Sequence, residues 1–414
     1  MYELCVICLT LALLAVLLRL KVKLGRSMIL SALVLAVFLK VSPTLFLQTI
    51  VREWTEKPFS QTTGYLFVTL TALLTFVNIL GIALKHTGVS QRLLPSIQGL
   101  FRSRRAALAG IPLMMGMLPT PGGIMLSAPM VRELGDQIGI DRNRQAALNY
   151  LFRHQWESVW PLFPAVPLIQ GMLGVQAGTL ILHNLPIMIA GTLGGILFLL
   201  LPGLPPKKAI HSTHDILINN LRGFLHAFWP IAIVAGLYVA LNITPAIGML
   251  AAIVLFLILH KVPIHDCKII FRSGIEFDVV LLILGALLFK LNIEASGAVR
   301  AVVDFLIAMN VPPGVLIFFL PFLVVFLTGL TMPTVAMTFP FLIPFIGTGP
   351  DAKLGLETLA FAGIVCGLAI SPIHLCLALS ASYFQTPLPR IVISMAGPVI
   401  LVAAAGILMA LFSG

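Results

Sequence analysis

The sequence predicts an all-α polytopic membrane protein arranged as an inverted-topology repeat, with about ten transmembrane helices and two re-entrant hairpins. Three observations carry that expectation. First, 59% of the 414 residues are hydrophobic and only 10% are charged, whereas about a quarter of a soluble domain is charged. Second, a proline-broken apolar segment occurs twice, as GMLPTPGGIMLSAPMV from Gly116 and GLTMPTVAMTFPFLIPF from Gly329. In hydrocarbon every backbone N–H and C=O must be paired, so broken backbone at membrane depth survives only where protein covers it or it lines a polar cavity. Third, the basic residues alternate between apolar runs in a pattern that fixes sidedness.

At about 20 apolar residues per crossing, spans are expected near 2–20, 27–42, 64–84, 145–169 and 179–201 in the first half. In the second half they fall near 225–242, 245–260, 277–291, 356–382 and 391–412. The first run has Glu3 before it and Arg19, Lys21, Lys23 and Arg26 after it, the reverse of a secretory leader, so it reads as a retained span with its N-terminus outside. The segments 107–131 and 312–346 remain. Arg92, Arg102, Arg104 and Arg105 precede the first, and Arg132, Arg142, Arg144 and Arg153 follow it, so the chain enters and returns on one side. With both segments treated as hairpins, 20 of the 26 basic residues fall on the cytoplasmic side and six on the other, and both termini lie outside.

Each half then has five crossings and one hairpin, and an odd crossing number inverts the second half relative to the first. Residues 1–203 form the first repeat, 204–223 a cytoplasmic linker containing Lys207, Lys208, His211 and His214, and 224–414 the second repeat. Landmarks pair in order: Ile79-Leu80-Gly81 with Ile283-Leu284-Gly285, Pro119-Thr120 with Pro333-Thr334, and Pro161 with Pro372.

Two interrupted segments in corresponding halves point to a secondary transporter's binding site between them. At the first tip Pro119, Thr120, Pro121, Gly122 and Gly123 are expected to open the helix. Its new N-terminus suits an anion, its freed carbonyls suit Na+, and Ser127 can add a hydroxyl. Met332, Pro333, Thr334 and Thr338 are the matching residues in the second half. Titratable groups within spans are costly and mark function. His154 and Glu157 stand at i and i+3 before Pro161, and His374 follows Pro372 near Ser371, so these three are the expected proton or substrate contacts. Asn78 is a further candidate, although a lone Asn in a span also serves simply to bond a neighbouring helix.

Other classes find little support. The formal charge of +11 is spread between spans, with no basic domain for nucleic acid. The five cysteines are odd in number and read as thiols packed in the membrane, Cys5 and Cys8 included. Trp54, Trp156, Trp160 and Trp229 read first as interfacial anchors. P-loop, Gly-x-Ser-x-Gly and His-Glu-x-x-His patterns are absent, so neither a nucleotide-driven pump nor an enzyme is expected, and no cofactor or resident metal beyond Na+ or H+ as coupling ion. The leading expectation is a cation-coupled carrier of a small organic anion. A cation/proton antiporter using Glu157 is the first rival, and a membrane-embedded lipid-handling protein or enzyme the second.

MLPTPGGIMLSAPMV from Met117, the RHQWE stretch from Arg153 to Glu157 and GLTMPTVAMTFP from Gly329 resemble the integral-membrane proteins grouped as domain of unknown function 401, placed within the ion transporter superfamily. That resemblance covers essentially the whole chain. It implies an elevator-type carrier, a homodimer in a prokaryotic inner membrane, with 1–63 and 224–276 as scaffold and 64–201 and 277–412 as the moving part. The dicarboxylate carriers of that superfamily have Ser-Asn-Thr triplets at their hairpin tips, and Pro119-Thr120-Pro121 and Pro333-Thr334-Val335 stand here instead. Dicarboxylate specificity and sodium coupling are therefore not carried over.

Overall fold

The computed structural model describes residues 2–89, 96–97, 99–101, 103–117, 124–202 and 214–412. Twenty α-helices are formed by these residues. In the first half they are α1 (Tyr2–Arg19), α2 (Leu24–Phe38), α3 (Pro43–Glu56), α4 (Thr63–His86), α5 (Arg104–Gly116), α6 (Ile124–Gln137), α7 (Arg142–Arg153), α8 (Ala165–Leu173) and α9 (Ala177–Gly194). The second half contains α10 (His214–Leu241), α11 (Pro245–Leu259), α12 (Ile264–Gly274), α13 (Phe277–Ser296), α14 (Ala298–Ala308), α15 (Pro313–Thr328) and α16 (Thr331–Ile346). It ends with α17 (Leu354–Ile370), α18 (Leu375–Phe384), α19 (Leu388–Ser394) and α20 (Ala396–Phe412).

Among the described residues six helical stretches are long and apolar enough to cross a membrane, or up to eight if each bent pair counts as one span. Helices stand at every one of the ten expected positions. Several are too short or too broken to cross as single rods: α11 has 15 residues, and the expected span 145–169 is divided between α7 and α8.

Close helix pairs rest on small residues, the usual device where hydrocarbon supplies no hydrophobic drive between helices. A Cβ at Gly285 of α13 would lie 2.7 Å from Met28 Cβ of α2. A Cβ at Gly25 of α2 would run into the Asp278 carbonyl of α13. The α2–α13 pair thus packs backbone to backbone.

One element escaped the apolar pattern. Residues 43–56, expected as an outer loop, form α3, bent 111° from α2. Ser42 caps it by accepting from the Leu45 N–H at 3.2 Å, and Pro43 sits in the first turn, where its missing N–H costs nothing. Leu47, Val51 and Trp54 are exposed on this helix, whereas Glu53 is buried. Glu53 reaches Lys290 of α13, whose ammonium also bonds Thr63 Oγ1 at 3.0 Å and Glu294 at 3.1 Å. Lys290, expected at the outer end of the span near 277–291, is therefore a buried residue inside α13.

A helix pair stands in each of the two segments expected as hairpins. In the first, α5 and α6 pack on each other and on α7, and in the second α15 and α16 pack on each other and on α17. Contacts also cross between halves: α8 lies against α16, and α18 lies against α6 and α7. The first tip, with Pro119, Thr120, Pro121, Gly122 and Gly123, lies outside the described residues. The second tip turns at Gly329 and Leu330, three residues before the expected opening at Pro333 and Thr334. Gly329 takes φ +68°, a left-handed conformation that costs other residues roughly 1–2 kcal/mol. Pro333 then falls in the first turn of α16, where a proline needs no donor.

The two broken spans differ in how they break. The second opens where expected, between Ile370 and Leu375, around Pro372. The first opens early. His154 and Glu157 do not share a helix face before Pro161, because α7 ends at Arg153 and residues 154–164 run through turns to α8. The cause is local: His154 Nδ1 bonds the Tyr150 carbonyl at 2.7 Å and Gln155 Nε2 the Leu151 carbonyl at 2.8 Å. Those are the carbonyls the backbone N–H groups of residues 154 and 155 would have taken in a continuing α-helix.

Candidate functional site

The breaks satisfy each other's exposed backbone. A helix end leaves its last carbonyls without intrahelical partners. Here Tyr150 on α7 donates its hydroxyl to the Leu368 carbonyl at the end of α17 at 2.7 Å, and Ser371 donates to the Phe326 carbonyl at the end of α15 at 2.8 Å. His374 Nδ1 bonds the Gly329 carbonyl at 2.7 Å. A Cβ at Gly329 would lie 2.9 Å from the His374 Cα and N, so the hairpin turn rests directly on the second break. Gly116, the last residue of α5, meets the Arg153 carbonyl in the same way, which brings the first hairpin to the first break.

Where the two breaks, the second tip and the end of α5 meet, a cavity of about 270 Å³ opens. Arg153, His154 and Glu157 enter it from the first break, His374 and Cys376 from the second, and Leu330, Thr331 and Pro333 from the start of α16. Thr331 donates to Glu157 Oε2 at 2.9 Å, and Arg153 donates to the Met115 carbonyl at 2.6 Å. His154 Nε2 and His374 Nε2 stand 3.2 Å apart. The first-turn N–H groups of Thr331 and Met332 have no intrahelical acceptor, and they carry the positive end of the α16 dipole to the cavity wall.

Of the residues expected at the site, His154, Glu157, His374, Met332 and Pro333 line this cavity. Thr334 and Thr338 instead give their hydroxyls to the carbonyls of Leu330 and Thr334 in their own helix, at 2.7 and 2.8 Å. Ser127 is buried against Asn149 Oδ1 at 2.6 Å. Ser371 holds the end of α15, one layer behind the cavity, and Asn78 sits half-buried in α4, while Leu74 is the α4 residue that reaches the cavity.

Arg153, Thr331 and Cys376 were not singled out as site residues from sequence. Arg153 reads from sequence as one of the cytoplasmic cations flanking the first hairpin and Cys376 as a packed thiol, and Thr331 carries no reading of its own. The one signal that pointed to them was proximity to an interruption.

Comparison with known proteins fits this architecture. The model of a family described as a protein of unknown function, DUF401, matches residues 4–412. No curated protein matches the sequence. Among solved structures the chain is similar to the YdaH transporter of Alcanivorax borkumensis, described as having an unusual topology, with TM-score 0.54 and 13% identity over 87% of this chain and 88% of that one. At that identity the likeness concerns the fold alone. A match over nearly the whole length makes this chain a member of the DUF401 family.

Proposed function

We propose that the chain is a secondary active transporter that moves a small, carboxylate-like organic anion across the membrane, coupled to Na+ or H+. The observation that carries this reading is the cavity at the meeting point of two broken helices, the turn at Gly329 and the end of α5. Non-helical backbone within membrane-spanning protein is tolerated where it lines a cavity, and such interruptions are where secondary carriers bind their solutes. A volume near 270 Å³ lies just under the roughly 300–1,000 Å³ of drug-sized ligand sites, which suits a solute of few heavy atoms. The start of α16 and Arg153 supply positive potential for its anionic group. Glu157, with Thr331 on one oxygen, is the group on which a coupling cation would compete with that charge.

The paired hairpins, the paired breaks and the crosswise packing of α8 on α16 and α18 on α6 support an inverted repeat. In this proposal the bundle bearing the hairpins and broken spans moves as an elevator, in a homodimer of the prokaryotic inner membrane, against a scaffold of 1–63 and 224–276 that also takes in α13, which is packed on α2 and fastened to α3. A cation/proton antiporter is the second reading, favoured by the Glu157 carboxylate on the cavity wall.

Thermal unfolding of the purified protein across organic anions, oxyanions and Na+ tests the first reading. A ligand at 100 times its Kd stabilises the folded state by about 2.7 kcal/mol. The expected result is a saturable rise in Tm with one class of carboxylate, reduced in Thr331→Val and Arg153→Gln. Silence from every anion with a response to Na+ alone would transfer the assignment to the antiporter.

A further inference from the structure

The two imidazoles in the cavity have a lone-pair problem. A backbone carbonyl only accepts, so the bonds from His154 Nδ1 to the Tyr150 carbonyl and from His374 Nδ1 to the Gly329 carbonyl place the ring hydrogen on Nδ1 in both residues. In two neutral rings each Nε2 is then a bare acceptor, and these acceptors face one another at 3.2 Å. Something electrophilic belongs between them.

We propose that His154 Nε2, His374 Nε2 and Cys376 Sγ form a three-ligand site for a thiophilic divalent cation of the Zn2+ class, with the fourth position open to the cavity. Three features of the geometry point there. Zn–N bonds of 2.0–2.1 Å in a tetrahedron separate two nitrogens by about 3.3–3.4 Å, close to the 3.2 Å observed. The three ligand atoms lie within 4.8 Å of one another, with the sulfur supplied by the second residue of α18. Both imidazoles are anchored through Nδ1 to backbone carbonyls, the outer support that fixes ring orientation at metal sites.

Two nitrogens and a thiolate select a borderline-soft ion over Mg2+ or Ca2+. Binding forms the S–metal bond as the thiol proton leaves to solvent through the cavity. The thiolate and the nearby Glu157 carboxylate offset the 2+ charge, to which Arg153 on the same cavity wall adds one positive charge. Three protein ligands with one position free is the arrangement of open zinc sites, as opposed to closed structural ones. Because His154 belongs to the first break and His374 and Cys376 to the second, the ion would bridge the halves. The site stands whether or not the cavity carries an organic anion.

The test is a Co2+ titration of the full-length purified protein in a Cys5→Ser, Cys8→Ser, Cys267→Ser background, which removes the exposed and half-buried thiols elsewhere. Expected is saturation at one Co2+ per chain, with a thiolate-to-cobalt charge-transfer band displaced by Zn2+ and untouched by Mg2+. Cys376→Ser should abolish the band, and His154→Gln and His374→Gln should each weaken binding about tenfold or more. Metal-free melting curves identify variants that remain folded. Absence of a saturable band in the parent protein overturns the proposal without recourse to any variant. A band that survives in folded Cys376→Ser, or that ignores both histidine changes, overturns it equally.

Discussion

Two clusters of buried charged and polar side chains differ in whether their demands are met. Around Lys290, three ammonium hydrogens meet three oxygens, from Glu53, Glu294 and Thr63, and Lys57 adds a second cation to Glu53 at 2.9 Å. Around the cavity, among the described residues, two imidazole nitrogens face each other at 3.2 Å, a thiol stands beside them, and a carboxylate accepts from the Thr331 hydroxyl. Burial alone does not distinguish function from framework. Satisfaction does: the first cluster is closed and fastens α3 to α13, whereas the second has open valences directed at a space.

The strongest way to break this contrast is to open the closed cluster. Lys290→Met should cost about 3–5 kcal/mol, the range for stranding a buried charge, with Lys57 still beside Glu53 keeping it toward the lower end. The readout is thermal unfolding in detergent. Adding Glu53→Gln should return part of the loss, because the stranded charge is then removed. If the single variant melts with the parent, the cluster is not the fastening described.

Gly329→Ala comes next and attacks the cavity through its backbone. The left-handed φ costs a non-glycine residue about 1–2 kcal/mol, and the new Cβ presses on the His374 backbone. Lower stability together with weakened ligand or cobalt binding is expected. Gly139→Ala, also at positive φ but with open space around it, should share the backbone cost and leave binding intact. Thr331→Val is smaller, about 1 kcal/mol for one lost hydrogen bond, since water in the cavity can replace the hydroxyl. Its signature is a binding change out of proportion to the stability change.

The smallest effect concerns Asp136, at the end of the first hairpin and outside the spans. Gln145 first, and Arg142 after it, hold its carboxyl below the ordinary aspartate value. A depressed pKa contributes stability above the unfolded value and loses it as pH falls through the folded one. Acid titration of Tm should therefore be slightly shallower in Asp136→Asn, and an identical profile would remove Asp136 from the account.

Prolines and glycines made the architecture legible. The second break stands around Pro372, because a proline in a helix interior removes a donor and crowds the preceding turn, and the second tip turns at Gly329, just ahead of its Pro-rich run. Where side chains end a helix instead, the sequence was silent: His154 and Gln155 terminate α7 seven residues before Pro161 by taking carbonyls that no residue pattern advertises. The amphipathic α3 was missed because its charged residues break the apolar run that marks a span. At the site, His154, Glu157 and His374 stood out as titratable groups in spans. Cys376 did not, since a thiol among leucines looks the same whether or not two imidazoles converge on it.

The bend before α3 has a consequence for depth. With Leu47, Val51 and Trp54 exposed along it, α3 is built to ride in the headgroup zone like a float, the position that aromatic side chains favour. Its mooring line is Glu53 to Lys290, and Lys290 stands eight residues along α13 from Leu282, which lines the cavity. At 1.5 Å per residue that is about 12 Å, close to half of a hydrocarbon layer about 30 Å thick. Were α3 to lie at the headgroups and α13 to run along the membrane normal, the cavity would sit nearly equidistant from the two aqueous phases.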